Sequence, residues 1–143
     1  MYEYKCKVTR VVDGDTIDVI LDLGFSVFHK CRVRLYGIDT PESRTRDLDE
    51  KALGLLAKDF LQNKIVAGEN IILRSELKDS KGKYGRVLGS VIVDGVDINL
   101  LMVESHHAVK YYGQSKEVVR MAHAANRQIL IEDGIYVPTK DYV

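Results

Sequence analysis

Three short stretches hold side chains whose types and spacing could do chemistry: Asp13-Gly14-Asp15-Thr16, Arg34 through Glu42 with Gly37, Asp39, Thr40 and Pro41 between, and Lys83-Tyr84-Gly85-Arg86. Singly, each has a plain structural reading. The first is a turn signal. Thr40-Pro41-Glu42 is a good helix start, with proline near the first helical position and an acid in the first turn. The third is a polar loop entering a strand. Together they supply what hydrolysis of a phosphodiester needs. The phosphate repels nucleophiles and gains charge on its oxygens as water attacks, so a hard cation on oxygen ligands and guanidinium groups gripping the oxygens both help. Asp15 and Asp39 are acidic ligands of the kind calcium or magnesium prefers. Arg34 and Arg86 are planar, permanently charged forks. Glu42 is a carboxylate able to orient or deprotonate a water.

These residues must be brought together by the elements that carry them. Tyr4 to Val11, Thr16 to Leu23 and Phe28 to Leu35 alternate with a period of about two and read as strands, the last setting Val33 and Leu35 against Lys30, Arg32 and Arg34. Asp13-Gly14 separates the first two, and Gly24-Phe25-Ser26 opens the turn to the third. Five positions separate Arg34 from Asp39, up to about 16 Å of extended chain. Both can serve one phosphate only if the chain bends, and Gly37 is the residue that permits it. Leu48, Ala52, Leu56 and Phe60, with Leu53, Leu55 and Leu61 beside them, predict a helix ending before Gly68. Strands follow over Asn70 to Leu77 and Arg86 to Val93. Asp97 can cap a short helix carrying Leu100, Leu101 and Val103. A last helix from near Ser115 places Val118, Ala122, Ala125 and Ile129 on one face, with Gly134 past its end.

Strands in sequence with a helix after the third predict an α+β domain whose strands curl into a small barrel. With 143 residues, no repeat and no linker, one domain over 1–143 is the expectation. Twenty-one basic residues balance twenty-one acidic ones, which argues against a tight, non-specific DNA coat protein but not against a locally basic cleft. No apolar run reaches the roughly 18 residues of a membrane helix. The N-terminus offers no secretion signal, so the chain reads as cytoplasmic, although a mature fragment of an exported precursor reads the same way. Cys6 and Cys31 match no metal spacing and read as buried free thiols.

The three motifs, in order and in register, resemble those of the staphylococcal nuclease (thermonuclease-like) family: Val11-Val12-Asp13-Gly14-Asp15-Thr16, Val33-Arg34-Leu35-Tyr36-Gly37-Ile38-Asp39-Thr40-Pro41-Glu42 and Lys83-Tyr84-Gly85-Arg86. The likeness runs from about residue 3 to residue 133. It implies a five-stranded OB-fold β-barrel with three helices, and a monomeric, calcium-dependent nuclease acting on DNA and/or RNA, preferring single strands and leaving 3′-phosphate ends. It implies one calcium ion held by the Asp15 and Asp39 carboxylates and the Thr40 carbonyl. Arg34 and Arg86 would hold the scissile phosphate, and Glu42 would be the general base. Lys83 and Tyr84 match positions at the nucleotide's terminal phosphate, and Tyr111 and Tyr112 approximate a tyrosine pair lining the nucleotide pocket. The chain departs from the family's best-known member in being neutral rather than strongly basic.

Two other readings compete. A non-catalytic OB-fold binding module would lack the acids or arginines, whereas all five charged positions are filled here. A zinc enzyme would draw on His29, His106, His107 or His123, but no His-x-x-x-His or Cys-x-x-Cys spacing exists. The run Arg74, Lys78, Lys81, Lys83 and Arg86 reads equally as a solvated face or as phosphate steering.

Overall fold

The structure is a computed structural model describing residues 2–76 and 87–138. The strand expected from Asn70 is observed over Ile71–Ser75 and that expected to end at Val93 over Val87–Val93; Leu77 and Arg86, their expected inner ends, lie outside the described residues, as do Lys83 and Tyr84.

The first three strands form where alternation is strongest: β1 (Glu3–Asp13), β2 (Thr16–Asp22) and β3 (Phe28–Leu35), joined as antiparallel neighbours. Next come the two-residue β4 (Ile38–Asp39), helix α1 (Leu48–Ala67), β5 (Ile71–Ser75), β6 (Val87–Val93), β7 (Val96–Asp97), α2 (Ile98–Glu104), β8 (Val109–Lys110) and α3 (Lys116–Glu132). The main sheet runs β3-β2-β1-β5-β6-β7, and a parallel β3–β6 pairing closes it. Five strands thus form a closed barrel and three helices accompany it, the expected OB-fold α+β architecture. Closure leaves no long sheet edge exposed.

The barrel interior is filled from alternate positions. Ile17, Val19, Leu21, Val33, Leu35, Leu73 and Val91 meet Ala57, Leu61 and Ile65 of α1, with Ile98 and Met102 of α2. Truncating one of them, such as Leu61 with no exposed surface, costs about 2–5 kcal/mol.

The helices differ in detail from their sequence-based expectation. In α1 the buried line is Leu53, Gly54, Ala57, Leu61 and Ile65, while Leu48 and Leu55 are exposed. The helix carries leucines around much of its circumference, so periodicity alone does not choose the face. Its bounds, Leu48–Ala67, are those the apolar pattern predicts. Asp47 caps it, accepting from the backbone N–H of Asp49 and Glu50, so Thr40-Pro41-Glu42 is not a helix start. In α2, capped by Asp97, the buried residues are Ile98, Asn99 and Met102, with Leu100 exposed. In α3, capped by Ser115, Leu130 is buried while Val118 and Ala125 point outward. Its inward positions include His123, Asn126 and Arg127, so this helix docks largely through polar contacts.

Candidate active site

The turn between β1 and β2 sets Asp15 in place. Its backbone carbonyl accepts from the Leu35 N–H at 2.8 Å. Its Oδ1 accepts from the Thr16 hydroxyl at 3.0 Å and its Oδ2 from the Thr40 N–H at 3.3 Å. The carboxylate is therefore fixed from both β2 and the segment after β4. Gly14 makes that approach feasible: a Cβ there would lie 2.9 Å from Ala57 Cβ and 3.1 Å from the Thr40 side chain.

The bend expected between Arg34 and Asp39 is present. β3 ends at Leu35, Gly37 adopts φ +77°, a region costly for residues with a Cβ, and β4 begins at Ile38. Asn99 braces the turn, donating to the Tyr36 and Gly89 carbonyls at 3.0 and 3.2 Å and accepting from the Val91 N–H at 3.1 Å. Arg34 then folds back. Its Nη2 lies 3.5 Å from Asp15 Oδ2 and 3.6 Å from Asp39 Oδ1, while Nη1 donates to the Leu35 carbonyl at 2.9 Å. One guanidinium nitrogen thus marks the point on which two carboxylates from different turns converge. The contacts are longer than the roughly 2.7–2.9 Å of a tight charged hydrogen bond, and Nε–H has no partner among the described residues.

A feature the motifs did not single out lies beside Asp39. His123 of α3 donates Nε2–H to Asp39 Oδ2 at 2.8 Å, since an ionised carboxylate can only accept. Asp39 therefore keeps Oδ1 toward Arg34 and Oδ2 toward α3. In the structure His123 lies on the inward line of α3, one turn from Asn126 and Arg127, a line that hydrophobic periodicity assigns to solvent. Asn126 holds the Ala108 carbonyl at 3.0 Å, next to the β8 strand that pairs with β4.

Glu42 is exposed in the segment leading to α1, with its N–H bonded to Glu50 Oε2 at 3.1 Å. Its carboxylate makes no ion pair or hydrogen bond among the described residues, so it is near the site along the chain but not joined to Asp15, Arg34 or Asp39. Ser43, which is buried, bonds Asp13 through its hydroxyl and ties this segment to the β1–β2 turn. Tyr111 and Tyr112 follow β8 and are exposed; the Tyr111 N–H donates to the Gly37 carbonyl at 2.8 Å. Of the basic run, Arg74 pairs with Glu3 at 3.0 Å, and Lys78, Lys81, Lys83 and Arg86 lie outside the described residues.

Other ionisable groups separate from this site. Burial pushes the Cys6 thiol up to about 11, with Cys31 contributing, and burial also raises Cys31, so both are protonated at neutral pH. Buried His107, packed on Phe60, has an Nδ1 without a hydrogen-bond partner among the described residues and is held below the usual histidine range by burial and by neighbouring His106. Among the described residues no three His, Cys, Asp or Glu side chains converge as a complete metal cage.

Two carboxylates around one guanidinium leave a net negative charge and an all-oxygen donor set, which suits a hard divalent cation whose remaining ligands are water or substrate. The chain is thus a small closed OB-fold barrel with two acids gathered on an arginine of β3. Residues 32–129 match the family model described as Staphylococcal nuclease homologue, and the chain belongs to that family. It is 38% identical over 118 residues to "Endonuclease YhcR" of Bacillus subtilis (strain 168), covering 77% of this chain and 9% of that protein. It is 31% identical to "Micrococcal nuclease" of Shigella flexneri over 78% of this chain and 62% of that one. To "Thermonuclease" of Staphylococcus intermedius it is 32% identical, over 73% of this chain and 59% of that one. The chain thus spans from under a tenth to under two thirds of these relatives.

Proposed function

We propose that this chain is a nuclease that hydrolyses phosphodiester bonds of DNA and/or RNA, using one calcium ion. The observation that carries the reading is the meeting of Asp15 and Asp39 at Arg34 Nη2, at 3.5 and 3.6 Å. The names of the relatives, each an endonuclease or nuclease, agree with it.

In this reading Asp15 and Asp39, with the Thr40 carbonyl, hold the cation, which when bound supplies positive charge to the phosphate. Arg34, joined by Arg86, grips the phosphate oxygens. Their charge matters most as negative charge builds in the transition state. Glu42 takes a proton from the attacking water. Its exposed position leaves it accessible to solvent and substrate. The new P–O bond forms as the bond to the 5′-oxygen breaks, and that oxygen takes up a proton from solvent, leaving a 3′-phosphate and a 5′-hydroxyl. Lys83, Tyr84, Tyr111 and Tyr112 contact the nucleotide. Few protein ligands leave most of a shell of about six to eight oxygens to water and substrate, so the cation binds weakly alone and more tightly with nucleic acid.

The test is digestion of end-labelled single strands of DNA and RNA with calcium, magnesium or chelator, reading cut positions and terminal phosphate. Cleavage with calcium, its loss with chelator and 3′-phosphate ends are expected. Binding of the strands without cleavage under any metal would point instead to a non-catalytic OB-fold module.

A further inference from the structure

The outer face of the β1–β2–β3 sheet carries, beyond Arg34, cations that the site above does not use. Along β3, Val33 and Leu35 point into the core, so Arg34, Arg32, Lys30 and Phe28 share the outward face. They recur every second residue, about 6.6 Å apart, a step close to that between successive phosphates of an extended single strand. The register extends this line sideways: Lys30 pairs with Ile20 and Ile20 with Lys7, while Arg32 pairs with Asp18 and Asp18 with Arg10. Lys5 lies two residues before Lys7. An open hollow of about 390 Å³, with Thr9, Ile20 and Lys30 among its walls, lies on the same sheet.

The acids of this face are already engaged. Asp18 holds Arg32 through two bonds, at 2.8 and 3.2 Å, and sits below the ordinary carboxylate range because of it. Asp22 accepts from the Gly24 N–H at 2.9 Å, and Glu3 pairs with Arg74 at 3.0 Å. Arg10 lies beside Asp18, whose carboxylate it helps to hold low, whereas Lys5, Lys7 and Lys30 are exposed and form no salt bridge among the described residues. At the far end of β3 the hairpin presents aromatic rings to solvent. Phe28 is 63% exposed and Phe25 fully so, the latter held out by three successive residues with positive φ, Gly24, Phe25 and Ser26.

We infer that this face is a track for single-stranded nucleic acid, about 20 Å long from Arg34 to the hairpin, with Lys7 and Lys30 on backbone phosphates and Phe28 and Phe25 stacking bases. The inference rests on the proposed nuclease reading for its starting point, because Arg34 is where the track begins. A charged groove with stacking rings is the general means of holding a single strand without reading its sequence. It also explains how a chain with no net charge grips an anion: the positive charge is local.

The decisive measurement is fluorescence anisotropy of a labelled oligothymidylate of about 12 nucleotides, in chelator, for wild type, Lys7→Gln/Lys30→Gln, Phe28→Ser, and Lys64→Gln of α1 as a control. Expected are a roughly tenfold loss for the double lysine variant, with the salt slope shallower by about 0.7 per charge removed. Phe28→Ser loses about fivefold or more at an unchanged slope, and Lys64→Gln matches wild type. With metal, the ratio of kcat/KM for the long strand to that for a dinucleotide falls in the lysine variant. Equal affinity and slope in wild type and the lysine variant overturn the track. If the same variants instead reduce partition onto anionic lipid vesicles while oligonucleotide binding is unchanged, the face belongs to a membrane and the inference is wrong. Failure of wild type to cut either substrate removes the nuclease reading but leaves the binding result to judge the track.

Discussion

At the scale of single residues, the candidate site depends on where charge is pinned. Arg34 stands between two carboxylates, its side chain only 17% exposed, and its guanidinium is preorganised rather than free to wander. Under the proposed chemistry Arg34→Ala raises the barrier by about 3 kcal/mol or more, roughly a hundredfold in rate, with a smaller effect on KM; steady-state kinetics on a single-strand substrate check it. In the same reading His123 is a positioning residue, acting on the cation only through Asp39. His123→Ala frees Asp39 Oδ2 and lowers calcium affinity about tenfold or more, as loss of a ligand's outer partner does elsewhere. His123→Gln, which keeps an N–H donor, restores part of it, a rescue that packing alone would not give. Calcium titration in the presence of a nucleotide reports both. Asp15, Arg34 and Asp39 were legible in the sequence because each sits in a local motif with its own turn chemistry. His123 was not, because its contact with Asp39 spans 84 positions and exists only once α3 has docked.

At the scale of elements, α1 is the platform on which both site turns rest. Ala57 faces the Asp13–Asp15 turn, and Gly54 faces the segment after β4, where an added Cβ would lie 2.5 Å from the Glu42 carbonyl oxygen and 2.7 Å from that of Pro41. Gly54→Ala has a helix-propensity gain of about 1 kcal/mol on its side and a backbone clash against it. The clash prevails, because the atoms it meets are carbonyls and not a flexible side-chain end. Expected are a lowered denaturation midpoint in urea and a fall in activity larger than that of a core truncation of equal stability cost, since Pro41 and Glu42 must shift. The strands β1 to β3 were legible with the turns between them, because a buried face imposes alternation, whereas the two-residue β4, β7 and β8 are too short to show a period and were not foreseen. The faces of α1 and α3 were not. Leucines surround much of α1, so only the barrel decides which line goes inward. In α3 the inward line contains His123, Asn126 and Arg127, polar residues that hydrophobic periodicity assigns to solvent, while Val118 and Ala125 face outward. Asn99, which ties β3 to β6 through three hydrogen bonds, left no sequence signal at all.

At the scale of the whole molecule, the chain is closed at its C-terminal side by a small second cluster. Tyr136, 4% exposed, packs with Leu53 and Leu130, and its hydroxyl donates to Asp49 near the start of α1. Arg127 of α3 reaches the same carboxylate at 3.3 Å and lies over the Tyr136 ring at 5.9 Å. Arg127 and Tyr136 thus share one carboxylate 78 and 87 positions away in sequence, and α3, which carries His123 toward Asp39, is held by this clasp. Burial, then the hydrogen bond to Asp49, pushes the Tyr136 phenol from its ordinary 10.0 up to about 12. A raised folded-state value means the fold favours the protonated phenol. The stabilisation is therefore complete below pH 10 and is lost as pH rises from 10 to 12. Urea unfolding of wild type across that window is expected to show falling stability with this group contributing to the slope. Tyr136→Phe keeps the ring but removes both the proton and the bond. It costs about 1–2 kcal/mol at neutral pH and flattens that part of the slope. A variant as stable as wild type at pH 8, or one with an unchanged slope, would show that the clasp does not hold α3 in place.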